Sequence, residues 1–71
     1  MKIVGYFMDK RGKLVAKDVF VVIAEGKVRM LYSPIGQHSD ADMDYVNECK
    51  MITKEQYIEA NKGFYTPFEY L

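Results

Sequence analysis

Residues 2 to 8 (Lys-Ile-Val-Gly-Tyr-Phe-Met) are rich in β-forming types, and the Asp9-Lys10-Arg11-Gly12 that follows has turn composition, with glycine expected where a left-handed residue is wanted. Residues 13 to 23 then end in Val19-Phe20-Val21-Val22-Ile23, a run too continuous for a strand wetted on one face. It predicts a central strand covered on both sides, or one carrying a bulge near Lys17-Asp18. Glu25-Gly26 supplies a second tight turn. Val28, Met30 and Tyr32 alternate with Arg29, Leu31 and Ser33, the period of a third strand, and Pro34 ends it because proline has no amide hydrogen to continue a ladder.

The second half changes period. Ser39 has the character of a helix N-cap, with Asp40 and Asp42 placed where the helix dipole favours negative charge, and Tyr45, Val46 and Cys49 form an inward stripe. Thr53 repeats the signal: Gln56, three residues on, completes a capping box, Tyr57, Ile58 and Asn61 are expected to face inward, and Gly63 to end the second helix. Residues 50 to 53 read as the end of one helix or as a short extended link. Thr66-Pro67 marks a last helical turn in a segment, 64 to 71, that holds four aromatics. The expected fold is a single α+β domain over residues 1–71: a three-stranded antiparallel β-meander followed by two short α-helices and a C-terminal aromatic turn, packed mainly on one face of the sheet.

Composition narrows the class. An apolar content of 49% with ten aromatics excludes a disordered chain, and one cysteine leaves no disulfide and too few thiols for a cysteine metal site. A chain of 71 residues buries only about 60% of its unfolded surface, so a second copy is an expected way to cover what remains. No run reaches the roughly 18 apolar residues of a membrane span, and Met1-Lys2-Ile3 leads into alternation instead of a leader's apolar stretch, so a cytoplasmic location without membrane contact is expected. Zero net charge conceals an asymmetry: residues 1 to 33 carry seven bases against three acids, and residues 34 to 71 three against seven. Whole-domain basicity is absent, which disfavours nucleic acid as a partner.

Candidate chemistry concentrates between the third strand and the first helix, where Gly36, Gln37, His38 and Ser39 stand together. His38 is read first as bonded within its loop, and second as a ligand-contacting or acid–base group, since its ordinary pKa of about 6.5 suits both. The helix start after Gly36 offers free amides to an anion, but Asp40, Asp42 and Asp44 oppose a bare phosphate. Those aspartates imitate the opening of a calcium loop, yet Tyr45 and Met51 stand where its glycine and glutamate belong. Cys49 reads as a small buried apolar residue. No metal or other cofactor is expected. Most tyrosines belong to the core, while Tyr6, Tyr32, Tyr57, Tyr65 and Tyr70 include candidate interface anchors.

The run Tyr32-Ser33-Pro34-Ile35-Gly36-Gln37-His38-Ser39, with Ala41, Tyr45, Thr53, Glu55 and Tyr57, resembles short uncharacterised proteins of phages, plasmids and other mobile elements of gut bacteria, which share a Gly-Gln-His-Ser turn and a Thr-x-Glu-x-Tyr helix start. The resemblance covers about residues 32 to 58 and implies a mobile-element origin, not a reaction. With no recognised catalytic pairing, the expectation is a non-enzymatic binding protein that presents Gly36, Gln37, His38, Ser39, Tyr65, Phe68 and Tyr70 to a protein partner or to a second copy, a homo-oligomer. The alternative is a binder of a nucleotide or other small anion through residues 36–39 at a helix N-terminus.

Overall fold

The computed structural model of the chain describes residues 1–36 and 38–71; Gln37, one of the candidate site residues, lies outside the described residues. Among them the chain forms β1 (Lys2–Met8), β2 (Val19–Glu25), β3 (Val28–Tyr32), β4 (Ser39–Asp40), α1 (Met43–Glu48), β5 (Lys50–Ile52) and α2 (Lys54–Ala60), with 3-10 turns at Ala16–Asp18 and Phe68–Tyr70. The strands make one antiparallel sheet in the order β4-β3-β2-β1-β5. The expected meander is therefore its centre, and two short strands extend it on either edge: β4, which the sequence did not announce, and β5, which takes up the extended link allowed for residues 50 to 53 and pairs it with β1.

The continuous apolar run becomes the middle strand because it is covered twice. Val19, Val21 and Ile23 join Tyr6, Tyr57 and Tyr70 on one face, and Phe20 and Val22 join Phe7 and Val46 on the other. Side chains alternate along a strand, so each face receives every second residue. The helices accordingly lie on opposite faces, α1 through Val46 and α2 through Tyr57. One-sided packing of both helices, the sequence expectation, would leave one half of β2 wet.

Turn chemistry accounts for the connections. Gly26 takes a φ of 63°, which a two-residue hairpin turn requires, and pairing runs up to Glu25 opposite Val28. Gly12 is needed for another reason than the one expected: its φ is not in the left-handed region, but a Cβ there would stand 2.6 Å from the Cβ of Asp18. Asp18 accepts from the Lys13 amide through Oδ2, and Asp9 from the Arg11 amide through Oδ1, so two aspartates organise the loop from 9 to 18. The irregularity expected near Lys17-Asp18 is a 3-10 turn before β2, and the register shift falls instead between Ile3 and Gly5 of β1.

Helix starts separate a correct expectation from a wrong one. Thr53 caps α2 with the complete capping box, its hydroxyl accepting from the Gln56 amide at 3.0 Å while the Gln56 side chain accepts from the Thr53 amide at 2.9 Å. Ser39 does not cap α1. It pairs in β4 opposite Leu31, and the cap is Asp42, whose carboxylate accepts from the Asp44 amide. Losing the Asp42 cap in Asp42→Ala should lower stability by about 1 kcal/mol, while Ser39→Ala should stay within about 0.5 kcal/mol of the parent. Chemical denaturation of the two variants checks this, and equal losses would contradict the assignment of the cap.

Candidate contact surface

The turn after β3 follows from its residue types. Ser33, Pro34, Ile35 and Gly36 form a β-turn in which the Gly36 amide donates to the Ser33 carbonyl at 3.0 Å, with proline and glycine at the positions they favour. The chain then returns alongside β3, so this is a hairpin connection and not the strand-to-helix corner expected from the sequence. The first turn of α1 begins at Met43, past the Gly36–Ser39 stretch. That removes the helix N-terminus on which anion binding by residues 36–39 was argued.

His38 is brought to the segment 64–71. Its Nε2 and the Tyr70 hydroxyl are hydrogen-bonded, the imidazole tautomer setting which of them donates, and Tyr32 completes a cluster with ring centroids 4.8 Å from Tyr70 and 5.3 Å from His38. Tyr70 is buried, and the Tyr6 hydroxyl donates to its carbonyl at 3.1 Å. Burial, with the Glu69 charge second, holds the Tyr70 phenol above its ordinary pKa. Tyr70 is thus a joint between sheet, hairpin turn and C-terminal segment.

The remaining site candidates divide. Gly36, His38 and Ser39 are exposed, and so are Tyr65 at 79% and Phe68 at 90%, whereas Tyr70 faces the core. Thr66 does not cap the last turn; its Oγ1 accepts from Asn61 Nδ2 at 3.3 Å, and the turn over Phe68–Tyr70 follows Pro67 without a side-chain cap. Ile58, expected inward, is 45% exposed and borders an open groove of about 350 Å³ with Asn61, Phe64, Tyr65, Thr66 and Leu71.

A polar pair inside α2, of which Asn61 alone borders this groove, was missed in the sequence. Tyr57 and Asn61, one turn apart on the inner side of α2, were read as ordinary inward residues, and an asparagine at such a position was the available signal. Asn61 is buried, and neither its Oδ1 nor the Tyr57 hydroxyl has a hydrogen-bond partner among the described residues. Burial raises the Tyr57 pKa, and the neighbouring Asn61 and Thr66 groups offset part of that rise.

On the far side of the molecule, the Tyr45 hydroxyl donates to Asp9 Oδ2 at 2.7 Å. That bond, ahead of the Arg11 amide, pulls the Asp9 carboxyl below its ordinary value and raises the Tyr45 phenol. Cys49, expected buried, is half-buried: it packs against the α1-side core and its thiol donates to the Tyr45 carbonyl.

Two consequences are measurable. The phenols of Tyr6, Tyr57 and Tyr70 lie above the ordinary 10.0 in the folded chain, each mainly through burial, so the native state favours their neutral forms. Their stabilisation is complete below the unfolded pKa of about 10 and is lost as pH rises through the higher folded values. Thermal unfolding from neutral to alkaline pH should show a steep fall above that point. Tyr57→Phe deletes a buried hydroxyl that has Asn61 and Thr66 beside it but no hydrogen-bond partner among the described residues, so its stability at neutral pH should equal the parent's or exceed it by up to about 1 kcal/mol, with a shallower alkaline fall. A loss greater than about 1 kcal/mol at neutral pH would mean that the hydroxyl is bonded in solution.

Comparison with protein-family models, with curated proteins and with solved structures found no match to the chain.

Proposed function

We propose that this protein is a non-catalytic interaction module whose contact surface is the C-terminal aromatic segment together with the turn beside it. The observation that carries this reading is Phe68, 90% exposed on a 3-10 turn whose next-but-one residue, Tyr70, is buried and bonded from two directions. Large aromatics held in water on an ordered backbone are the anchor residues of protein interfaces, because little entropy remains to be lost when they are covered. Ile35, 52% exposed in the hairpin turn, adds apolar surface, and His38 adds a polar group fixed against Tyr70.

His38 supports a recognition role over an acid–base one, since its bonded neighbour is a phenol whose ionisation burial disfavours. The resemblance of residues 32–58 to mobile-element proteins makes a host protein the partner class. Because α1 begins at Met43, no helix N-terminus among the described residues supports a small-anion site at residues 36–39.

Site-specific photo-crosslinking tests the reading in the cell that naturally contains the protein. Benzoylphenylalanine in place of Phe68 should give a discrete protein adduct, and the same probe at Met51, 70% exposed on β5, should not. Excess unlabelled protein should compete the adduct away, and excess Phe68→Asp should not. Equal, diffuse labelling at both positions would overturn the proposal.

A further inference from the structure

The loop between β1 and β2 carries charge and apolar surface that neither the core nor the contact surface uses. Residues 9 to 18 hold four of the seven bases in the chain's first half, Lys10, Arg11, Lys13 and Lys17, against the two acids Asp9 and Asp18. Both acids have donors of their own: Asp9 accepts from the Arg11 amide and the Tyr45 hydroxyl, and Asp18 from the Lys13 amide. Lys10 is paired with Glu48 at 3.1 Å, while Arg11, Lys13 and Lys17 are exposed and have no ion-pair partner among the described residues.

Leu14 and Val15 stand between those bases, 45% and 42% exposed, and belong to neither core cluster. Their neighbour Ala16 is buried at the start of the 3-10 turn. The Asp9 amide donates to the Asp18 carbonyl and the Asp18 amide to the Val15 carbonyl, which closes the loop at its foot. Two adjacent aliphatic side chains are thus presented to solvent on an ordered backbone, with bases on either side. We infer that this loop docks on an anionic lipid bilayer, Leu14 and Val15 entering the boundary between headgroups and acyl chains while Arg11, Lys13 and Lys17 lie against the lipid phosphates and carboxylates.

Nucleic acid would satisfy the bases equally, but its bases stack on aromatic rings and the loop has none. An acidic protein would need a surface shaped to two branched side chains, whereas a fluid bilayer accepts an exposed tip of any outline. Zero net charge imposes no overall repulsion from an anionic surface. The expectation of no membrane contact rested on the lack of a spanning run. No helix among the described residues is long and apolar enough to cross a membrane, and a loop that lies on the surface needs no span. The loop shares no residue with the contact surface at Phe68, so either holds without the other.

Vesicle sedimentation at low ionic strength tests this. The chain should partition onto vesicles of equimolar phosphatidylserine and phosphatidylcholine, lose that partition as salt is raised, and leave phosphatidylcholine vesicles bare. An exposed base near such a surface contributes about fivefold, so Lys13→Gln should lower the partition coefficient about fivefold, and Arg11→Gln, Lys13→Gln and Lys17→Gln together about 100-fold. Leu14→Gln with Val15→Gln, which alters no charge, should lower it about tenfold or more. Amide-resonance dispersion equal to the parent's establishes that each variant is folded. The chain has no tryptophan, so Leu14→Trp supplies a single fluorophore, whose emission should move to the blue on the anionic vesicles. Absence of partition at millimolar lipid, equal partition onto phosphatidylcholine alone, or partition unchanged by Leu14→Gln with Val15→Gln would overturn the proposal. So would tighter binding to oligothymidylate or to poly-glutamate at the same salt, which would assign the loop to nucleic acid or to an acidic protein.

Discussion

Burial of β2 on both faces is the constraint from which the rest of the architecture follows. Val19, Val21, Val22 and Ile23 are each at most 1% exposed, and this requires a layer above and a layer below the same strand. Covering a valine or isoleucine fully is worth about 1.5–3 kcal/mol, so leaving either face open would remove a large share of the stability of so small a domain. The chain satisfies both faces with one short helix each. Having placed α1 on the Phe20 and Val22 side, it must pass around the sheet edge to place α2 on the Val19, Val21 and Ile23 side. Lys50–Ile52 is that passage, and it pairs with Tyr6–Met8 as it goes.

What the sequence made legible was local and doubly signalled. Thr53 with Gln56 has both halves of its box, Glu25-Gly26 lies between two apolar runs, and Pro34 removes a ladder donor, so each element boundary had a mechanism within a few residues. The failures were non-local. Ser39 and Asp42 are both acceptable caps three residues apart, and the choice between them was made by pairing of Ser39 and Asp40 with Leu31 and Met30, which no local propensity reports. β5 is three residues long and shows no alternation that a window could detect. One-sided packing was expected because two amphipathic helices follow a meander, yet the continuous run in β2 already required two covered faces.

The C-terminal segment shows how one side chain can govern the exposure of its neighbours. Tyr70 is held by the Tyr6 hydroxyl at its carbonyl, by His38 at its phenol and by the Tyr32 ring at 4.8 Å, and so the turn at Phe68–Tyr70 has one orientation. With Tyr70 inward, Phe68 is directed to solvent. The exposed aromatics are for that reason the outward half of an anchored turn, a different situation from a frayed end whose rings collapse onto the nearest apolar surface. Of the site residues expected from sequence, His38 and Tyr70 are brought into contact, and Phe68 and Tyr65 are set outward on the same segment.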